Sequence, residues 1–172
     1  MLVEPLPAAV QPVALDEAKA FLRIDGAAED ALLAGFIRTA TALAEAFTGQ
    51  RLVARAFTET LSADGCWQRL SAAPVMAIAG IDGEGGPLPG EAYETDIDRA
   101  GNGWVRVAAS GRVTVRYRAG LAADWNGVPE PLRQGIVRLV SHLHAHRDAP
   151  DAGGPPAAVA ALWRPWRRIR LN

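Results

Sequence analysis

Between residues 29 and 48, apolar side chains recur at Leu32, Leu33, Phe36, Ile37, Ala40, Leu43, Ala44 and Phe47. That is a helical period held for about five turns, with a wide apolar stripe. Such a helix must lay its stripe on other apolar surface, so the chain has to supply further elements to cover it. Gly49 stands where a C′ glycine ends a helix. Two other stretches carry a matching face. Residues 15–23 place Leu15, Ala18, Phe21 and Leu22 on one side, with Asp16 and Glu17 in the expected first turn and Asp25-Gly26 as the stop. Residues 130–147 follow Pro129, hold Pro131 in their first turn and carry Leu132, Ile136, Leu139, Val140 and Leu143.

Across 51–120 the period changes to two and the turns fill with Gly and Pro, which predicts strands at 53–61, 75–82, 91–97, 103–108 and 112–118. The last alternates most clearly: Val113, Val115 and Tyr117 against Arg112, Thr114, Arg116 and Arg118. No connection is long enough for a crossover helix, so the pairs are expected to be antiparallel. Ser110-Gly111 reads as a hairpin turn between the last two strands. The expected fold class is α+β: a small α-helical bundle with an antiparallel β insertion between the second and third long helices, and an extended C-terminal tail. Residues 1–148 are expected to form a single helical body, with the insertion at about 51–120 too small for a domain of its own. Residues 149–172 are then linker and docking tail.

The charge is unevenly placed. Residues 155–172 hold Arg164, Arg167, Arg168 and Arg170 and no acid, a charge of +4 that leaves −5 on the remainder. A basic tail on an acidic body points to a partner for the tail. Trp163 and Trp166 stand among these arginines, and Trp and Arg dominate interface hot spots. A tail this short cannot bury two Trp by itself, so they either fold back on the body or dock into another chain; docking of Leu162, Trp163, Arg164, Trp166, Arg167, Arg168, Ile169 and Arg170 is the favoured expectation. Removal of 157–172 is expected to leave the body folded. The Arg112, Arg116 and Arg118 face is a solvated sheet face, or one that lines a channel or meets a neighbour.

No catalytic pattern survives inspection. His142 and His146 are spaced to bind a metal from one helix face, but no Glu follows His142 as in a zincin and no third ligand is evident. The glycines at 80–90 lack the Lys-Ser/Thr of a phosphate loop. Asp96 with Asp98, and Glu29 with Asp30, have no base, nucleophile or metal beside them. Cys66 is the lone cysteine, so no intrachain disulfide is possible. No enzyme activity, cofactor or metal is expected. The three prolines in the first 13 residues and the missing basic start do not suit a signal peptide, and no uninterrupted apolar run suits a membrane span.

Six stretches, in this order, carry a resemblance: LDEAKAFLRID (15–25), EDALLAGFIRTATALAEAFTGQRL (29–52), APVMAIAGI (73–81), VTVRYRAGL (113–121), VPEPLRQGIVRLVSHLHAHRD (128–148) and LWRPWRRIRL (162–171). The chain resembles the head–tail connector (adaptor) proteins of tailed phages and phage-derived gene transfer agents. Ala14 departs from the Ser or Thr that caps the first helix in that family. The resemblance implies a structural adaptor in the neck of a virion or phage-like particle, made in the bacterial cytoplasm. It further implies a ring of identical subunits, a dodecamer, below the portal. That ring would extend the DNA channel, with DNA passing without sequence-specific binding, and would join the capsid to a stopper or tail-completion protein. It puts the C-terminal segment at the portal protein. A second reading from the residues alone is a nucleic-acid-binding module using the Arg/Trp tail.

Overall fold

The computed structural model describes residues 12–146 and 154–168, with side chains from residue 15. It is a mixed α+β structure whose described residues group into two compact units, a helical one and a β one. From the sequence, residues 1–148 are expected to form one helical body; the β residues cluster around a hydrophobic core of their own.

The helical unit contains α1 (Pro12–Leu22), α2 (Asp30–Thr48), α3 (Glu130–Ala145) and α4 (Ala157–Trp163), which runs into a single 3-10 turn, Arg164–Trp166. Helix α3 packs against the other three. It buries Leu132, Ile136, Val137, Leu139 and Val140, while α2 buries Leu33, Ile37, Ala40 and Ala44. By length and composition α2 could cross a membrane. Here it packs against α3 with Leu33, Ile37, Ala40 and Ala44 of its stripe buried, while Leu32 and Leu43 of the stripe stay exposed. Gly49 ends α2 in the left-handed region at φ 68°, and its N–H donates to Glu45 O at 2.9 Å.

Helix α1 starts earlier than its acids suggest. Pro12 opens it, a residue whose fixed φ and missing N–H suit a first turn, so Asp16 and Glu17 lie beyond that turn. Glu17 instead accepts a 2.9 Å hydrogen bond from the buried indole of Trp125. Lys19 Nζ reaches Asp30 Oδ1 at 2.7 Å and ties α1 to the start of α2.

The β unit, Val53–Ala123, holds seven strands among its described residues. β1 (Arg55–Ala63), β3 (Val75–Gly83), β4 (Gly86–Pro87) and β7 (Gly111–Ala119) form one sheet in the order β1-β7-β3-β4. β2 (Gln68–Arg69), β5 (Tyr93–Ile97) and β6 (Gly103–Val107) form the second, in the order β2-β6-β5. All ladder pairs are antiparallel. The expected hairpin at Ser110-Gly111 does not form. Both edges of β7 are taken, by β1 and β3, and both edges of β6 by β2 and β5. Residues 108–110 instead carry the chain from one sheet to the other.

The two sheets share one core. Val113, Val115 and Tyr117 of β7 lie in it with Val105 and Val107 of β6, and Phe57 stacks on Tyr117 at 5.5 Å. One polar group is buried at its rim. Glu59 Oε2 accepts from Ser71 N and Oγ at 2.9 Å each and from Tyr117 OH at 2.8 Å. The Tyr117 oxygen in turn accepts from Ala72 N at 3.1 Å. Burial, reinforced by the Glu59 carboxylate, pushes the Tyr117 phenol up to about 12.

Candidate functional site

The C-terminal segment is where the sequence placed the chemistry of recognition. Its prolines, Pro155 and Pro156, introduce α4 as first-turn prolines do. The helix buries Val159 and Trp163. Trp163 is 0% exposed. Its ring lies on α3, where Nε1 donates to Leu132 O at 3.3 Å, and on Phe47 of α2, with centroids 5.8 Å apart. Gly135 makes the seat: a Cβ there would lie 2.1 Å from Trp163 Nε1. Of the two places the sequence left open for this indole, the body and another chain, it occupies the body, where a carbonyl accepts its N–H. Removing 157–172 would take away a core side chain rather than a free tail.

Beyond Trp163 the chain runs along the end of α2. Gln50 Nε2 donates to Trp166 O at 2.6 Å, and Arg168 N donates to Thr48 O at 2.8 Å. The Arg167 guanidinium lies over the Phe47 ring, 5.8 Å from its centroid. Backbone and ring contacts hold this strap, and they leave Arg164 and Arg167 exposed, with Leu162, Trp166 and Arg168 half-buried. Ile169 and Arg170 lie outside the described residues.

The second candidate, Arg112, Arg116 and Arg118, forms an exposed row on the outer face of β7, as the alternation predicts. Their cross-strand neighbours are small: Ser62, Thr58 and Ala56 on β1, and Gly80 and Ala77 on β3. Arg116 is paired with Asp82, Nε to Oδ2 at 2.9 Å. Among the described residues neither Arg112 nor Arg118 meets a carboxylate.

The rejected catalytic candidates have local roles. His142 and His146 stack at 4.3 Å, and His146 Nδ1 lies 2.9 Å from His142 O. His144 Nε2 lies 3.1 Å from Glu29 Oε2, so the α3 end is tied to the start of α2. Asp98 closes a turn by accepting from Asn102 N and Nδ2 at 2.8 Å each. Those bonds hold its carboxyl down at about 2. Among the described residues no group of three or more His, Cys, Asp or Glu is placed to hold a metal.

One surface escaped the sequence reading. Val105 and Val107 point into the core, so the alternation of β6 puts Trp104 and Arg106 on the outer face of the second sheet. There Arg106 lies over the ring of Trp67 at 5.4 Å and pairs with Glu94. Trp67 is 42% exposed. Beside it opens a pocket of about 320 Å³ lined by Gly65, Glu91, Tyr93, Glu94 and Arg106. The residues are far apart in sequence, so only the strand pairing gathers them. Gly135 was also missed. A glycine inside a helix costs about 1 kcal/mol against Ala and usually has a packing reason.

The described residues thus give a helical unit with an ordered basic strap and a β unit with two unlike sheet faces. Residues 12–74 match the family model described as phage gp6-like head-tail connector protein. The full chain is similar to a chain in the neck of an empty gene transfer agent particle computed with C6 symmetry, at 28% identity and TM-score 0.79, covering 100% of this chain and 98% of that one. A chain of the native gene transfer agent virion gives 28% and 0.76 over the same shares. One from the native neck computed with C12 symmetry gives 26% and 0.74, also over 100% and 98%. No curated protein sequence matches significantly. The chain thus resembles phage head-tail connector proteins over residues 12–74 and chains of gene transfer agent particles over its whole length.

Proposed function

We propose that this chain is a non-enzymatic adaptor in the neck of a phage-like particle. It works as one subunit of a ring, a dodecamer, that sits below the portal protein, extends the DNA channel and joins the capsid to a stopper or tail-completion protein. The observation that carries this reading is the end-to-end likeness to chains of gene transfer agent necks, one computed with C6 and one with C12 symmetry.

The C-terminal strap is the portal contact in this reading. Trp163 anchors the segment on its own unit. The presented side chains are Arg164, Trp166 and Arg167, with Leu162 and Arg168 at the rim and Ile169 and Arg170 continuing the stretch. The geometry supports this because backbone bonds to Thr48 and Gln50 already order the segment, which lowers the entropy lost on docking. A nucleic-acid-binding module gains no comparable support. Trp163 is buried in the core and unavailable for base stacking, and Arg116 is already paired.

The test is co-sedimentation of the full chain with purified portal rings. The wild-type chain is expected to co-sediment. The variant Arg164→Ala/Trp166→Ala/Arg167→Ala is expected to lose binding by ~100-fold, since a few Trp and Arg anchors carry most interface energy. Undiminished binding by the folded variant would remove the strap from the portal contact.

A further inference from the structure

The β unit carries two unlike outer faces. Both sheets bury their inward residues in one core, so their outward residues look in opposite directions. One side is the Arg112–Arg116–Arg118 row among small neighbours, with Arg112 and Arg118 meeting no carboxylate among the described residues. The other side holds the exposed Trp67, its Arg106–Glu94 pair, and the pocket that Glu91 and Glu94 flank. The pocket thus lines two carboxylates against one guanidinium, and an exposed indole stands at its edge.

We propose that these two faces are the two halves of one repeating contact, in which the arginine row of one copy of this chain seats on the Trp67–Glu91–Glu94 face of the next copy. The inference rests on the ring reading above and deepens it. A rotational ring needs a heterologous interface, with two different and complementary patches on every subunit. Opposite placement on one compact β unit meets that need. Guanidinium groups suit the other face twice over, through forked pairing with carboxylates and stacking on indole. A polyanion such as DNA would explain the arginine row but not the acid-flanked tryptophan. A second copy accounts for both.

The chain supplies its own probe, because Cys66 is exposed beside Trp67. Particles are assembled with the full chain carrying Arg118→Cys and treated with a short bismaleimide. The expected result is a ladder of covalent multimers in assembled necks, abolished by adding Cys66→Ser. Assembled necks that give no ladder would overturn the contact. In parallel, Arg112→Glu/Arg118→Glu is expected to lower incorporation into necks by ~10-fold, as loss of a central charged contact does. Adding Glu91→Arg is expected to restore most of it. Both positions are exposed, and unchanged thermal melts identify folded variants. A loss that Glu91→Arg does not restore, or a variant that assembles normally but retains less DNA, would overturn the pairing. Absence of the wild-type chain from necks would instead sink the ring reading on which this inference stands.

Discussion

The indole of Trp163 occupies the space that a side chain at position 135 would need, with Nε1 at 2.1 Å from where a Gly135 Cβ would stand. Gly135→Ala is therefore expected to push the indole off α3 and to destabilise the protein by ~1–3 kcal/mol, as overpacking does. Trp163→Ala is expected to cost ~3–5 kcal/mol, like other large core truncations. Urea midpoints measure both. Deleting 157–172 should lower the midpoint at least as far as Trp163→Ala; an unchanged midpoint would refute the burial.

Trp125 and Glu17 tie a loop to α1 by one hydrogen bond of 2.9 Å. Trp125 is buried, so Glu17→Ala leaves a desolvated N–H with no acceptor. A loss of ~1–3 kcal/mol is expected. Glu17→Gln keeps an acceptor oxygen and should lose clearly less. Equal losses for the two variants, read by thermal unfolding, would show that the carboxylate acts in another way.

Glu45 is buried at the end of α2 and uses both oxygens on the chain just beyond it. Oε1 accepts from Leu52 N at 3.0 Å, and Oε2 pairs with Arg51 Nη1 at 2.9 Å. Glu45→Ala is expected to loosen residues 49–52 and cost ~1–3 kcal/mol through the unpaired buried N–H. Faster hydrogen exchange at Leu52 checks it.

Tyr117 titrates near 12 in the folded chain, above its ordinary value of 10, chiefly because it is buried. The raised value means the folded state holds the proton more tightly than the unfolded state. The stability this provides is fully present below pH ~10 and lost as pH rises from there through about 12. Tyr117→Phe should flatten that alkaline loss. At neutral pH it should cost ~1–3 kcal/mol, because Glu59 and Ala72 N–H each lose a partner. pH-dependent urea melts of the two proteins give the comparison.

Local pattern carried far in this chain. The period-3.6 stripes of α2 and α3, the alternation of β7 and the glycine at position 49 were legible because each depends on residues within a few positions of one another. The same holds for the exposed arginine row. The resemblance to head–tail connectors rested on the order of such local stretches.

What the tertiary structure decided were relationships over long sequence separations. Ser110-Gly111 looked like a hairpin because turn chemistry is local. Strand partners are set by which edges remain free, and β7 was already flanked by β1 and β3. Trp163 looked like an interface anchor because an isolated short tail cannot cover an indole. The notch that covers it is made by Gly135 and Phe47, which no linear pattern links to it. Trp67, Arg106, Glu91 and Glu94 became one face only when β6 paired with both β2 and β5. Periodicity determined which side of each element is apolar; only packing determined which side chains meet, because burial joins residues by space and not by spacing.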